Sequence, residues 1–217
     1  MEYKTLAKLG DDDRTRVLQS ARRRRWNKDE TIFHEGDIGD TFHLIAKGRV
    51  GVKVTTPMGE VAMLTVLSPG DSFGEGALIS SDERRTATIV ALEPTETLVL
   101  HRDGFNELRR GYPGVEPMLV HALSEQVRRL TSSVLDALYV DVETRLFRRL
   151  VDLINIYDTG ADRITIPLTQ EDLATIVGTT RPTANRFLQG AVEAGVIELS
   201  RGRITVLDRA AIAKRAR

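Results

Sequence analysis

Glycine returns too often between Trp26 and His101 for a long helix to form there. Gly36-Asp37, Gly39-Asp40, Lys47-Gly48, Gly59, Gly70-Asp71 and Gly74 break this stretch at short intervals. Each break is a turn signal, because glycine reaches backbone angles closed to other residues and aspartate hydrogen-bonds its own turn. Between the breaks lie apolar runs of strand length: Thr41–Ala46, Val50–Val54, Val61–Leu67, Thr86–Leu92 and Thr97–Leu100. Val50, Val52 and Val54 alternate with other residues, the period of a half-buried strand. Several short strands at regular spacing predict a barrel, sandwich or roll. Ahead of them, Thr5–Ser20 reads as one short helix and Arg22–Arg25 as a solvated basic run.

The period then changes. After Pro113 and Pro117, tolerated in a first helical turn, Val120, Leu123, Val127, Leu130, Val134 and Ala137 follow at spacings of 3, 4, 3, 4 and 3. This heptad seam predicts a long helix that pairs with a second copy of the chain. The competing reading is a surface helix packed on its own domain.

From Asp141, a plausible N-cap, Leu146, Leu150, Leu153 and Ile154 form one apolar helical stripe. Thr169-Gln-Glu-Asp172 opens a second helix with a capping-box pattern, Asp standing where Glu or Gln is usual. Gly178-Thr179-Thr180 interrupts it, and Arg181-Pro182 starts a third helix that ends at Gly195. Val196–Leu199 and Ile204–Leu207, joined through Ser200-Arg-Gly-Arg203, read as a hairpin. Helix, glycine-bearing turn, helix and hairpin make the winged helix-turn-helix order. Small residues at Ala174, Gly178 and Ala184 suit a tight helix crossing. The third helix carries Arg181, Asn185 and Arg186 near its start, and arginine can grip guanine O6 and N7 together. Thr179, Thr180 and Thr183 can bond phosphate oxygens beside the helix N-terminus. A helical packing module with surface arginines is the alternative.

Composition removes several chemistries. The chain has no cysteine, so it has no disulfide framework, thiolate zinc site, Cys nucleophile or Cys-ligated iron–sulfur cluster. No His-x-His occurs among its 4 histidines, His34, His43, His101 and His121, which disfavours a cupin-type metalloenzyme; no catalytic residue and no metal site is expected. The longest uncharged run, Val61–Gly70, falls far short of a membrane span, and Met1-Glu-Tyr-Lys has no apolar signal core. A soluble cytoplasmic protein is expected. Its 31 basic and 31 acidic residues cancel, but residues 142–217 hold 12 basic and 9 acidic residues, against 19 and 22 before them. The zero sum hides a positive C-terminal segment.

Phe73-Gly74-Glu75 and Arg85-Thr86-Ala87 supply a small-molecule site inside the strand region, across the turn-like Ile79–Arg84. An arginine with an adjacent hydroxyl and backbone N–H groups binds a phosphate, and a nearby carboxylate accepts from ribose hydroxyls. A structural Glu–Arg pair is the plain alternative.

At these residues the sequence resembles the Crp/Fnr family of bacterial transcription regulators. The likeness runs through the glycine-punctuated region, Gly74-Glu75…Arg85-Thr86, the long helix, Tyr139-Val140-Asp141-Val142 and Val177-Gly178-Thr-Thr-Arg181. It implies an α+β fold in three parts: a cyclic-nucleotide-binding β-roll with an N-terminal helix over 1–114, a dimerisation helix and hinge over 115–140, and a winged helix-turn-helix over 141–217. It implies no cofactor but an allosteric ligand, cyclic AMP or else cyclic GMP. Gly74 would offer an N–H, Glu75 would take the ribose 2′-hydroxyl, and Arg85 and Thr86 the cyclic phosphate. Val52, Leu64 and Leu67 fall at pocket-wall positions. Leu130-Thr131 stands where the family has a Thr-Ser pair that reads the adenine edge, so Thr131 alone keeps a hydroxyl. In DNA binding, Arg181 and Arg186 match base-reading arginines and Thr183 a phosphate contact, with Thr169, Thr180, Asn185 and Arg203 around them. Pro182 replaces a glutamate and Asn185 a glycine. Proline offers cytosine N4 no acceptor, so the operator should differ at that base pair. The implied partners are double-stranded DNA bearing a palindromic operator, the cyclic nucleotide, a second copy of the chain and RNA polymerase, with no membrane. Rival expectations are a regulator of this type that answers another small effector or binds DNA without ligand, and a nucleotide module gating a kinase or channel. The C-terminal winged helix disfavours the last.

Overall fold

The computed structural model describes residues 3–79 and 84–217; most of the expected turn Ile79–Arg84 lies outside the described residues. The chain divides into two compact units: Met1–Val61 with Thr65–Leu130, and Ala62–Leu64 with Thr131–Arg217.

The first unit opens on a 3-10 turn at Lys4–Leu6 and helix α1, Asp11–Ser20. The single helix expected over 5–20 is therefore broken. Gly10, at φ −59 and ψ 156, caps α1, and Asp11, Asp12 and Asp13 fill its first turn, where carboxylates meet the positive end of the helix dipole. Among the described residues, eight strands follow: β1 Arg22–Trp26, β2 Thr31–Phe33, β3 Thr41–Lys47, β4 Val50–Thr55, β5 Val61–Leu67, β6 Ser72–Phe73, β7 Thr88–Ala91 and β8 Thr95–His101. They form two four-stranded sheets, in the orders β1-β8-β3-β6 and β2-β7-β4-β5. All five expected runs are strands; β1, β2 and β6 are additional. The basic run Arg22–Arg25 is solvated as expected, but it is also an edge strand. Arg23 and Arg25 bond Glu96 across it at 2.6 and 3.1 Å, and Arg24 lies over the Trp26 ring.

Alternation along β3 splits two cores. Phe42 and Leu44 join Leu6, Val17, Leu100, Phe105, Leu108 and Met118, a cluster that includes α1, α2 (Arg102–Gly111) and the start of α3 (Glu116–Tyr139). Ile45, on the other face, joins Val50, Leu67, Phe73 and Ile89, with Phe33 and Val52 packed alongside. Helix α2 is not evident from the sequence pattern; Phe105 and Leu108 are its buried anchors.

In the second unit, α4 spans Val142–Tyr157. Asp141 caps it, accepting from the Thr144 N–H at 3.0 Å, which holds the Asp141 carboxyl below its ordinary value. Leu146, Leu150, Leu153 and Ile154 are all buried. At the end of α3, Arg145 Nη1 donates to the carbonyls of Ala137 and Val140 at 3.0 and 3.2 Å, closing groups the helix leaves open. Helix α5, Gln170–Val177, starts with the full Thr169–Asp172 capping box, and α6 runs Arg181–Glu193. Strands β10 (Ile197–Ser200) and β11 (Arg203–Val206) make the hairpin. Strand β9, Ile164–Ile166, pairs with β11 as a third strand, and α7, Arg209–Arg215, ends the fold; both go beyond the sequence expectation.

Ala174 and Ala184 are fully buried, as a tight crossing of α5 and α6 requires. Gly178 corrects the sequence reading. It sits at φ +73, and a methyl group added there would meet nothing within 4 Å, so its role is the left-handed end of α5 and not a close helix contact. Gly195, at φ +67, ends α6 in the same way.

Candidate nucleotide and nucleic-acid sites

The first candidate site is built around Arg85. Its side chain enters the roll and is only 8% exposed. Arg85 Nη1 donates to the Thr41 carbonyl at 2.9 Å and Nη2 to the Thr41 hydroxyl at 2.7 Å. The guanidinium lies 3.9 Å from the Phe33 ring centroid, a cation–π contact. Arg85 Nε is buried with no hydrogen-bond partner among the described residues. A buried, unpartnered donor on a charged group is costly, and an anion that reached it would relieve that cost.

Two glycines make room for this arginine. A methyl at Gly74, which sits at φ +84, would stand 2.8 Å from Arg85 Nη1 and 2.8 Å from the Thr41 carbonyl oxygen. At Gly39 it would stand 2.9 Å from Arg85 Cζ. In the sequence Gly39 reads only as a turn glycine, and Thr41 and Phe33 do not stand out. The small, polar run Gly39-Asp40-Thr41 ahead of an apolar strand is the available signal, but only strand register shows which side chain it serves.

Glu75 opens a short 3-10 turn, Glu75–Leu78. Burial pushes its carboxyl above the ordinary range, against the pull of its own and the Gly74 backbone N–H groups and the charges of Arg129 and Arg85. Burial likewise pulls Arg85 below its ordinary value, while Asp40 and Asp37 oppose that shift. Thr86 is exposed beside Arg85. Val52 and Leu67 both pack in the core between the sheets. Leu64 is 47% exposed; three residues from Leu67, it falls on the opposite side of a period-two strand. Thr131 is an exposed residue of α3 in the second unit.

The second candidate site lies on α5, α6 and the hairpin. Arg181 opens α6, and Arg181, Arg186 and Arg203 are exposed. Asn185 is half-buried with its Oδ1 inside the fold, so it presents less to the surface than its spacing suggests. Thr180 is the N-cap of α6: its hydroxyl accepts from the Thr183 N–H at 3.4 Å and meets the Thr183 hydroxyl at 3.0 Å. Thr169 exchanges bonds with Asp172 in the same manner. An open groove of about 570 Å³ runs past Thr169, Arg181, Gln189, Ser200 and Arg201. No sequence motif assigns a contact to Gln189 or Ser200.

The seam residues Val120, Val127, Leu130 and Val134 are 55–60% exposed on α3. Leu123 is half-buried and Ala137 exposed. Leu135, Leu138 and Tyr139 extend the exposed apolar surface beyond the heptad pattern.

Comparison with known proteins gives these sites a context. Residues 23–112 match the cyclic nucleotide-binding domain, and residues 144–215 match the Crp-like helix-turn-helix domain. Together they define the class: a DNA-binding transcription regulator that carries a cyclic nucleotide-binding domain, in a family without enzymatic activity. The chain is 32% identical over 194 residues to a cyclic AMP receptor protein of Thermus thermophilus, covering 89% of this chain and 88% of the relative. It is 30% identical over 190 residues to a CRP-like cAMP-activated global transcriptional regulator of Mycobacterium tuberculosis, covering 86% and 84%. Among solved structures, the Thermus thermophilus catabolite activator protein aligns over 98% of both chains at 28% identity and a TM-score of 0.56. The chain belongs to the Crp/Fnr family of transcription regulators. Among the described residues, no helix is long and apolar enough to cross a membrane.

Proposed function

We propose that this chain is a homodimeric regulator whose grip on DNA is set by a cyclic nucleotide, cyclic AMP first and cyclic GMP as the alternative. Arg85 carries this reading. It is a buried guanidinium, fixed by Thr41 and Phe33, whose Nε has no partner among the described residues. Such a group suits a singly charged cyclic phosphate, because charge-assisted bonds to phosphate are strong where water is scarce. Gly74 and Thr86 add donors to the phosphate, Glu75 accepts from the ribose 2′-hydroxyl, and Val52 and Leu67 wall the base.

The division of labour follows 1–114 for nucleotide, 115–140 for dimerisation and hinge, and 141–217 for DNA. The stripe Val120, Leu123, Val127, Leu130, Val134 and Ala137, exposed except for the half-buried Leu123, is what a second α3 would cover. Two recognition helices related by a two-fold axis read a palindrome with half-sites ~34 Å apart. Arg181 and Arg186 reach base edges; Thr169, Thr180, Thr183, Asn185 and Arg203 position the backbone. The nucleotide acts through the α3–α4 junction, where Arg145 closes the last carbonyls of α3, and it shifts the balance only by its differential affinity for the two states. RNA polymerase is the downstream partner and the cytoplasm the site of action.

Calorimetric titration of the full chain with cyclic AMP and cyclic GMP tests the ligand. Saturable binding is expected, with a loss of at least ~100-fold in Arg85→Ala, the order expected when a charge-assisted contact is removed. Unchanged affinity in Arg85→Ala would remove the phosphate assignment. Failure of the wild type to bind either nucleotide would move the reading to another small effector or to DNA binding without ligand.

A further inference from the structure

A histidine lies within the core between the sheets, where an apolar residue would ordinarily sit. His43 is 2% exposed and shares the inner face of β3 with Thr41 and Ile45. It stacks on Phe73, the residue before Gly74, with ring centroids 4.8 Å apart and planes 11° from parallel. Phe33, which carries Arg85 on its face, meets the same imidazole edge-on at 6.0 Å. Both ring nitrogens are engaged: Nδ1 lies 3.3 Å from the Thr97 hydroxyl and Nε2 3.1 Å from the Thr41 hydroxyl.

Those two hydroxyls extend the arrangement in both directions. Thr41 Oγ1 accepts from Arg85 Nη2 at 2.7 Å. Thr97 Oγ1 accepts from Trp26 Nε1 at 3.0 Å. A continuous path thus joins Arg85, Thr41, His43, Thr97 and Trp26, the one tryptophan of the chain. Burial, with Arg85, Arg24 and His101 nearby, pulls His43 down to about 3. The ring is therefore neutral at physiological pH, a donor at one nitrogen and an acceptor at the other. It links the two hydroxyls without placing a second charge against Arg85.

We infer that His43 is a positioning residue for the nucleotide site: it orients the Thr41 hydroxyl that holds Arg85, and links Arg85 to Trp26. This rests on the reading that Arg85 binds the cyclic phosphate. A buried histidine with both nitrogens bonded has few orientations open to it, and the Phe73 stack removes the remaining freedom. Arg85 would then meet its ligand already placed, so less ordering is needed on binding. Neither motif in the primary structure points to His43; only the strand register puts it beside Thr41 and Thr97.

The test uses the full chain as wild type, Thr41→Val, Thr41→Ser, His43→Phe and Arg85→Ala. Each is titrated with cyclic AMP by calorimetry, with Trp26 emission followed in parallel. Thr41→Val and His43→Phe are each expected to weaken cyclic AMP roughly tenfold, the scale of one hydrogen bond to a charged group. The double variant should lose less than the product of the two single losses, because both break one path. Thr41→Ser keeps the hydroxyl and should stay within about twofold of wild type on the same scale. Cyclic AMP should shift Trp26 emission in wild type and Thr41→Ser, and not in saturated Thr41→Val. Wild-type affinity in both Thr41→Val and His43→Phe, with binding lost in Arg85→Ala, overturns the positioning role and leaves the nucleotide reading intact. Equal loss in Thr41→Ser and Thr41→Val also overturns it, since packing and not the hydroxyl would then matter. A wild type whose emission ignores saturating cyclic AMP overturns the link to Trp26. A wild type that binds no cyclic AMP in calorimetry overturns the nucleotide reading itself.

Discussion

The arginines of the two units are used in opposite ways. Arg85 is buried, bonded through Nη1 and Nη2 and stacked on an aromatic ring. Arg181, Arg201 and Arg203 stand exposed around an open groove and the hairpin beside it. A small ligand offers few contacts, so its site must hold its charge in place beforehand and bear the desolvation cost. DNA offers a long array of phosphates and base edges, so its contacts can remain solvated until docking, and two-fold geometry can supply the order. The same side chain therefore reads as built in one unit and waiting in the other. The glycines follow the same division: Gly74 is needed both for its backbone angle and for the room it leaves, Gly178 for its angle alone.

That contrast can be broken most sharply at the two glycines. Gly74→Ala forces a methyl against Arg85 and the Thr41 carbonyl, so cyclic AMP affinity should fall by more than tenfold, the equivalent of about 1.4 kcal/mol. Gly178→Ala adds no clash and should lower the stability of the second unit by about 1–2 kcal/mol, the cost of a left-handed residue. Denaturant unfolding and nucleotide titration of both variants separate the two effects. Similar nucleotide losses would show that steric room at Gly74 is not the determinant.

Arg181→Ala should weaken a selected operator by about 1–3 kcal/mol, the scale of a bidentate base contact. Its melting temperature and cyclic AMP affinity should stay unchanged, because the side chain is exposed. Electrophoretic mobility shift and calorimetry check both halves. A loss of nucleotide affinity in this variant would contradict the separation of the two arginine sets.

Glu75→Gln gives the smallest effect, with opposite signs on stability and binding. Burial raises the Glu75 pKa in the folded state. The contribution of this group to stability is thus fully present below its unfolded pKa and lost as pH rises through the folded value. Ionising this buried carboxyl costs stability that an amide does not lose, so Glu75→Gln should raise the melting temperature at neutral pH. It should also weaken cyclic AMP binding, since an amide oxygen is a poorer acceptor for a ribose hydroxyl than a carboxylate. Thermal unfolding at pH 5 and pH 7 checks the sign: the gain should be larger at pH 7.

Much of this is legible in the chain itself. Strands β3, β4, β5 and β8, the capping box at Thr169–Asp172, the cap at Asp141 and the helix-turn-helix are local patterns, and local patterns survive folding. Helix α2, strand β9 and helix α7 escape a reading of the sequence. Arg102–Gly111 is short and charged, with only Phe105 and Leu108 buried, and β9 is three residues long; packing decides such segments. The split of the first helix at Gly10 shows a single glycine overriding a longer apparent pattern. Gly74, Glu75 and Arg85 stand out in the sequence as a cassette. Thr41, Phe33 and His43 do not, because what Thr41 and His43 do depends on register between β3, β8 and β6, and Phe33 reaches them from β2 of the other sheet, none of which adjacent residues encode.

The measurement that bears most directly on nucleotide control is DNA affinity with and without nucleotide. Duplexes selected from a random pool by the full chain in the presence of cyclic AMP would be titrated by fluorescence anisotropy, first without nucleotide and then at saturating cyclic AMP. Cyclic AMP is expected to tighten binding to a palindromic duplex by at least tenfold, about 1.4 kcal/mol of coupling, and Arg85→Ala is expected to lose the increase. Equal affinity in the two conditions, with calorimetry showing the nucleotide bound, would contradict control of DNA binding by the roll.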